Sequence, residues 1–375
     1  MAAALNRISS ALFWTLGTLL PAASPCLPPV VPDQVIAQDT TLRDVLERER
    51  LAQAVEESLA YLKSPRAQRD YAKGNAAFPL ERVQRTLGRL RTLLGTSQDA
   101  RSLEEALLRE FQWIPMAGQD NQGTVALTGY FTPVYEASRK RQGEFLWPLY
   151  RRPAALDAWP LPHPTRSELE GVDGLGARTG KLKGLELFWL RNRWDAYMIQ
   201  VQGSAQLQLP DGTIAAIGFH GATQHPYTPI AFEMSRDQRI QEERLRTGTV
   251  SLRDHFQRHP EDMDTYIQRN NRFIFFKEIP GPAKGSLGVP VTPMRTVAID
   301  RALFPSGIPI LLAGLPDPSS PSGQGRLVLA QDAGSAIQGP GRLDLYCGVG
   351  PEAGTQAGQW VHAPIRAYLM ILKEP

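Results

Sequence analysis

The chain is poor in the features that mark several protein classes. It has only two cysteines in 375 residues, Cys26 and Cys347, so loss or modification of Cys26 would leave no intramolecular disulfide. Beyond the first residues, no apolar run approaches the length of a membrane-spanning helix. The 41 lysines and arginines nearly balance the 38 aspartates and glutamates. No basic run is interleaved with aromatic residues, which argues against nucleic acid as a partner.

Metal-binding motifs are also missing. His255 and His259 are four residues apart, but Phe256 follows His255 where His-Glu-x-x-His has a glutamate. We therefore predict that both histidines are solvated helix residues. His220 and His225 have no cysteine or carboxylate cluster around them, which argues against zinc. The sequence predicts neither a metal nor a cofactor.

The first residues have the pattern of an export signal. Arg7 supplies a positive charge, residues 11–20 an apolar stretch and residues 21–24 small residues suited to cleavage. A second candidate cleavage site ends at Ala37. Cys26 suggests a lipid anchor as the alternative, but Pro25 directly before it departs from the lipobox pattern. We expect residues 1–37 to form a cleaved leader and the mature protein to be exported.

After the leader, apolar spacing predicts a helical segment followed by strands. Helices are expected from Thr41 to Leu62, from Leu80 to Gly95, and from a cap at Ser97 to Phe111. Short strand patterns then dominate from Gly123 onward, with a helical interval from about Arg236 to Asn270. The predicted strands cover residues 125–131, 185–190, 196–201, 206–215, 273–276, 295–299, 308–312, 326–330, 343–346 and 365–372. Residues 315–325, rich in Pro, Ser and Gly, are predicted to form a surface loop.

The most informative segment surrounds Asp332. The apolar run Leu327–Ala330 leads to this carboxylate, small residues including Gly334 follow, and a second apolar run carries Asp344. Small residues beside a carboxylate leave space for a ligand. The residues alone fit equally well a turn in which Asp332 caps its own backbone, which is the simpler interpretation.

A family resemblance favours the ligand site over the simple turn. The segment Asp332-Ala-Gly-Ser-Ala-Ile-Gln-Gly, with Leu343-Asp-Leu-Tyr-Cys-Gly348, resembles a signature of the membrane-bound lytic transglycosylase A family. Ser335, Gln338 and Leu343 stand where that signature has glycine, lysine and phenylalanine. Further blocks resemble the family in the same order along residues 123 to 373, and they comprise residues 127–134, 141–151, 201–204, 225–227, 275–277 and 350–354.

The resemblance implies a fold. It is mainly β with an α-helical N-terminal part: a double-psi β-barrel domain, a second inserted β-barrel-like domain, and a groove between them. The helical segment and the catalytic barrel are expected to comprise residues 38–131 and 235–375, and the inserted domain residues 132–234.

The resemblance also implies an activity and a substrate. The expected enzyme is a lytic murein transglycosylase that cleaves the MurNAc–GlcNAc β-1,4 bond without water. Its expected partners are peptidoglycan glycan strands and other proteins of wall synthesis or hydrolysis, in the periplasm or at the outer membrane. Because the C6 hydroxyl attacks within the same sugar, one carboxyl, Asp332, can act first as acid and then as base.

The remaining site expectations concern the groove. We expect substrate contacts from Thr128, Gly129, Tyr130, Gln202, Gly203, Ser204, Gly334 and Asp344. A buried position on a barrel strand is the alternative for Tyr130. Asp344 fits equally well a like charge that raises the pKa of Asp332, a substrate hydrogen-bond acceptor or a turn-facing structural aspartate. Asp300 is a possible second carboxylate that fits a structural role better. A non-catalytic wall-binding module and a two-carboxylate hydrolase that uses Asp344 are the competing functions.

Overall fold

A computed structural model describes residues 45–73, 78–176, 180–240, 249–315, 324–360 and 363–374. The predicted leader, Cys26 and the start of the first predicted helix lie outside these residues, as does most of the predicted loop at 315–325. In the described part, no helix is both long enough and apolar enough to cross a membrane.

Four helices precede the first strand of the described chain. They are α1 (Val45–Leu62), α2 (Pro65–Ala72), α3 (Leu80–Thr96) and α4 (Ala100–Glu110). Helix α2 was not predicted, although Ser64 caps it and Pro65 occupies its first turn. The predicted cap of α4 at Ser97 is wrong, because Asp99 is the capping residue and accepts a 2.8 Å hydrogen bond from the Ser102 amide. Ser97 instead ends α3.

The remaining elements alternate short strands with short helices. The strands are β1 (Phe111–Pro115), β2 (Val125–Thr132), β3 (Val134–Ser138), β4 (Trp147–Tyr150), β5 (Glu186–Leu190), β6 (Ser204–Gln208), β7 (Ile214–Ala222), β8 (Ile274–Glu278), β9 (Thr296–Ala298), β10 (Pro309–Leu315), β11 (Gln324–Asp332), β12 (Arg342–Val349) and β13 (Ala363–Leu372). The helices are α5 (Arg166–Glu170), α6 (Arg193–Gln202), α7 (Ile230–Arg236), α8 (Thr249–Arg258), α9 (Pro260–Arg269) and α10 (Gly350–Gln359), with a 3₁₀ turn at Leu156–Ala158.

The first sheet is a closed barrel. Its strand order is β1-β13-β10-β11-β9-β12-β2, and β2 also pairs with β13, so the ring closes with β1 added outside it. Two of its pairs, β11 with β9 and β12 with β2, are parallel. This barrel and its inserted second domain confirm the predicted fold class. The barrel core continues into α1 to α4, which pack against it.

The second sheet has the order β4-β5-β3-β6-β7-β8. A parallel bridge between Arg151, just after β4, and Phe276 in β8 joins its two ends into a barrel-like form. The boundary expected at residue 234 is therefore too early, because β8 pairs with β7 far beyond it. We infer that the inserted segment extends to about Glu278.

One predicted strand is wrong. Residues 196–201 lie in helix α6, not in a strand. The Asn192 side chain caps this helix by accepting from the Asp195 amide, and Gly203 ends it in the left-handed conformation with φ of +78°. Both are helix-end signals. A run of apolar residues hid them, since nearly all of α6 is buried and shows little amphipathic pattern.

Helix α10 lies across β2 at Gly129, and the fit is tight. A Cβ atom at Gly129 would lie 2.7 Å from Ala357 Cα and 3.0 Å from both Ala357 O and Cys347 Sγ. Two of these three atoms belong to the backbone, which cannot rotate away. The contact fixes how closely the helix approaches the strand that carries Thr128 and Tyr130.

We therefore expect Gly129→Ala to destabilise the protein by about 1–3 kcal/mol through overpacking. Gly88→Ala is the matched control, because Gly88 lies inside α3 with nothing within 4 Å of its added Cβ. It should be neutral or stabilising by up to about 1 kcal/mol. Denaturant unfolding of both variants measures the difference, and equal effects would show that the packing against α10 is loose.

Candidate active site

Asp332 is the last residue of β11 and lies partly buried at the end of the strand. Its Oδ1 accepts hydrogen bonds from the Ser286 amide at 2.7 Å and from its own neighbour Ala333 at 2.8 Å. Its Oδ2 accepts one from the Tyr130 hydroxyl at 2.7 Å. The carboxyl group is therefore held by three donors, from three parts of the chain.

Burial and hydrogen bonding act on Asp332 in opposite directions. Removal of the carboxylate from water raises its pKa, and this effect outweighs the hydrogen bonds from Tyr130, Ala333 and Ser286, each of which lowers the pKa. The net pKa is above the ordinary value of an aspartate. A carboxyl group in this position is suited to hold a proton and then release it.

Asp344 lies on β12, and Asp332 and Asp344 both pair in register with Ala298 of β9, which runs between their strands. Two strand spacings separate the backbones of the two aspartates by roughly 10 Å. The pKa of Asp344 is raised to about 6, mainly by burial. A hydrogen bond from Thr128 and the charge of Arg342 act in the opposite direction. The charge of Asp332 raises this pKa further.

Strand β2 supplies the side chains that bond to both carboxyl groups. The Thr128 hydroxyl donates to Asp344 Oδ1 at 2.6 Å, and Tyr130, two residues later on the same face, donates to Asp332. Gly129, between them, faces helix α10. The structure thus brings together Thr128, Tyr130, Asp332 and Asp344, while Gly129 serves the packing behind them.

The predicted residues of the inserted domain are joined to this cluster through Gln202. Its side-chain oxygen accepts a 3.1 Å hydrogen bond from the Phe131 amide, next to Tyr130. Gly203 ends helix α6, and Ser204 begins β6, opposite Gly218. Gly334 lies in the exposed turn that follows Asp332.

Asp300 belongs to a different arrangement. Its Oδ2 accepts from the Gly339 amide at 2.8 Å and its Oδ1 from the Ala302 amide at 2.9 Å. It therefore anchors the far end of the turn after Asp332 through backbone bonds. The prediction for His255 was wrong, since this residue is buried and its Nε2 lies 2.8 Å from Asp262 Oδ2.

Sequence reasoning missed several residues of the site. The Ser286 amide contacts Asp332, and a Cβ at Gly285 would lie 2.6 Å from Gln331 O and 3.3 Å from Asp332 Cγ. Tyr346 packs on Tyr130 with ring centroids 5.1 Å apart. No motif in the sequence marks Gly285 or Ser286 as part of a site. Tyr346 lies inside the segment that resembles the family signature, and it could have been proposed from its spacing to Asp344. Cys347 is free and buried.

The site lies where a closed β-barrel is joined to the inserted β-domain, and it holds two carboxyls of raised pKa. This arrangement is typical of a class of protein, the enzymes that use acid–base chemistry. Among the described residues, no group of three or more His, Cys, Asp or Glu side chains is arranged to hold a metal ion.

Comparison with known proteins identifies the family. The family model for the MltA specific insert domain matches residues 126–277, and the model for the 3D domain matches residues 295–370. Membrane-bound lytic murein transglycosylase A of Vibrio cholerae is 32% identical over 268 residues, which cover 69% of each chain. The Escherichia coli K12 protein of the same name is 33% identical over 255 residues, which cover 66% of each.

Solved structures give the same result. A membrane-bound lytic murein transglycosylase from Agrobacterium tumefaciens shares the fold, with a TM-score of 0.71, 23% identity and coverage of 90% of this chain and 94% of that one. E. coli MltA with bound chitohexaose has a TM-score of 0.67 and 26% identity, covering 86% and 90%. The chain belongs to the membrane-bound lytic murein transglycosylase A family, and it is an enzyme of that class.

The raised pKa of Asp344 predicts how stability depends on pH. The folded state binds a proton at Asp344 more tightly than the unfolded state does, so this contribution is present below about pH 4 and is lost as pH rises through about 6. Asp344→Asn should therefore be more stable than wild type at pH 8 by up to about 3 kcal/mol. The difference should disappear at pH 4.

Unfolding by urea at both pH values measures this difference, with the exposed Asp254→Asn as control. Equal stabilities of Asp344→Asn and wild type at pH 8 would contradict the burial of an unfavourable charge at Asp344.

Proposed function

We propose that Asp332 is the single general acid and base in cleavage of peptidoglycan between MurNAc and GlcNAc. The observation that carries this proposal is the bonding of its carboxyl. Oδ1 accepts from the Ser286 and Ala333 amides, and Oδ2 accepts from the Tyr130 hydroxyl. Since two amides already bond to Oδ1, we assign the transferred proton to Oδ2, which Tyr130 holds in place.

The proposed reaction needs no water. Protonated Asp332 gives its proton to the glycosidic oxygen as the bond from that oxygen to C1 of MurNAc breaks. The C6 hydroxyl of the same MurNAc then forms the new bond to C1, and its proton passes to the Asp332 carboxylate. The enzyme returns to its starting state, and the product carries a 1,6-anhydromuramic acid end. Because the nucleophile is part of the substrate, effective molarity replaces an activated water.

The raised pKa of Asp332 suits the first step. The acid must begin protonated, and burial favours the neutral form. Once charge develops on the carboxylate, the donors Tyr130, Ser286 and Ala333 stabilise it, since hydrogen bonds favour the ionised form. Activity should accordingly fall on the alkaline side, as the pH rises through the pKa of Asp332.

The substrate groove is proposed to run between the barrel and the inserted domain. Thr128, Tyr130 and Asp344 would form its barrel wall near the acid, and Gln202 to Ser204 its opposite wall. The link from Gln202 to Phe131 fixes the inserted domain next to Tyr130. Chitohexaose bound to the E. coli relative is a β-1,4-linked chain of N-acetylglucosamine, which supports a glycan strand as the ligand.

A further part of the proposal concerns where the protein acts. The relatives carry the words membrane-bound in their names, and the predicted leader of this chain is consistent with action in the periplasm or at the outer membrane. We propose export after cleavage of the leader, with a lipid anchor on Cys26 as the alternative.

The first test concerns the acid. Asp332→Asn keeps the size of the side chain but removes its proton transfer, so turnover of purified sacculi should fall at least a hundredfold. Asp254→Asn, on the exposed side of α8, is the control and should keep wild-type activity. Near-wild-type turnover by Asp332→Asn would assign the acid to another group.

The second test separates the lytic reaction from hydrolysis. Cleavage in ¹⁸O-labelled water, followed by mass spectrometry, should give anhydromuramic ends without label, because the C6 oxygen is the nucleophile. Labelled reducing ends would instead indicate a hydrolase in which Asp344 serves as base or nucleophile. The absence of any cleavage product by the intact protein would favour the wall-binding alternative.

A further inference from the structure

The residue whose amide bonds to Asp332 Oδ1, Ser286, is also held through its carbonyl oxygen by helix α2. Ser286 donates its amide to Asp332 at 2.7 Å, and its carbonyl oxygen accepts a 2.7 Å hydrogen bond from Arg66 Nη2. Arg66 lies on α2, about 220 residues away in sequence. One residue, Ser286, therefore connects an arginine of the helical segment to the proposed acid.

The guanidinium of Arg66 is itself oriented by Asp70, one helical turn later. Arg66 Nε lies 3.6 Å from Asp70 Oδ2, which also accepts from Arg301 at 2.8 Å and from the Tyr61 hydroxyl at 2.9 Å. Asp70 thus ties α2 to α1 and to the segment after β9. The side chain of Arg66 is partly exposed, with 44% of its surface accessible, so the bond adds little to global stability. We therefore expect the bond from Arg66 to affect the position of Ser286 and not the stability of the whole fold.

Helix α1 supports Asp332 through the preceding residue, Gln331. Gln331, the residue before Asp332, is fully buried, and its Nε2 donates to Ala54 O at 2.7 Å and to Ser58 Oγ at 3.0 Å. The two helices therefore support the proposed acid through different residues. Helix α1 binds Gln331, which precedes Asp332 on the same strand, and α2 binds Ser286, whose amide donates to Asp332.

We propose that Arg66 is a positioning residue for the transglycosylase reaction, which acts by fixing the backbone of Ser286, whose amide donates to the Asp332 carboxyl. This inference rests on the proposed role of Asp332. It gives the helical segment a part in the chemistry beyond packing on the barrel.

The direction of the effect follows from the bond that Arg66 supports. The Ser286 amide favours the ionised form of Asp332, so a loosened peptide should raise the pKa of Asp332 further. The other charged or titratable groups that influence or contact Asp332 are Tyr130 on β2 and Asp344 and Tyr346 on β12. Lys284, next to Gly285, interacts with Glu57 of α1. Replacement of Arg66 leaves these five side chains unchanged.

The experiment compares Arg66→Ala with wild type on purified sacculi. A misplaced acid should lower kcat roughly tenfold, with KM within about twofold because Arg66 supplies no proposed groove contact. The alkaline limb of the pH–rate profile should move to higher pH. Arg66→Lys keeps a cationic donor and should recover part of the loss. Arg69→Ala, also exposed on α2, should behave like wild type.

A second measurement does not depend on turnover. Titration of the Asp332 side-chain carboxyl by ¹³C NMR should give a midpoint about half a pH unit or more higher in Arg66→Ala than in Arg69→Ala. Gly285→Ala should shift it in the same direction, because its Cβ would lie 2.6 Å from Gln331 O and displace the peptide.

An unchanged midpoint in Arg66→Ala would overturn the proposal, whether or not kcat falls, because loss of kcat alone would indicate a structural role. A shifted midpoint together with a lower kcat would support it. Since the titration needs no substrate, it tests the contact even if the wild-type protein makes no anhydro product, which would count against the proposed function alone.

Discussion

The site depends on one balance, between the desolvation of Asp332 and the hydrogen bonds made to it. Burial alone would keep the carboxyl neutral, and it would then resist acting as a base. Three donors alone would keep it ionised, and it would then be a poor acid. The Tyr130 hydroxyl and the Ser286 and Ala333 amides offset burial only in part. The role that we propose for Asp332, to give and then accept a proton in one cycle, requires this intermediate state.

The topology explains why these donors meet. β2 runs parallel to β12, with Thr128 opposite Asp344 and Tyr130 opposite Tyr346, so one strand places two donors beside two carboxyls. The chain leaves the barrel just after this strand and begins β3 of the inserted domain at Val134. The inserted domain is therefore covalently joined close to Tyr130 and its hydrogen bond to Asp332. The hydrogen bond from the Phe131 amide to Gln202 adds a second attachment at the same place.

The apolar pattern was sufficient for the strands of the closed ring, because these strands are short and bounded by glycine or polar turns. The family resemblance, and not the pattern, singled out the segment that holds both aspartates. Sequence reasoning failed where burial removed the pattern, as in α6, which looks like a strand because both of its faces are covered. It also failed for contacts made through the backbone. The Ser286 amide would serve equally well with another side chain at that position, so no motif records it. Arg66, 220 residues from Ser286, could be connected to the acid only by the folded chain.

The two aspartates share one face of the barrel but are not equivalent. One oxygen of Asp344 accepts from Thr128, and the nearby charge of Arg342 favours its ionised form. Burial is the largest influence on the pKa of Asp332, and its donors include a phenol and two backbone amides. Because the two carboxyls repel each other when both are ionised, the charge of Asp332 raises the pKa of Asp344 further. Asp332 therefore also affects how readily its neighbour on β12 holds a proton.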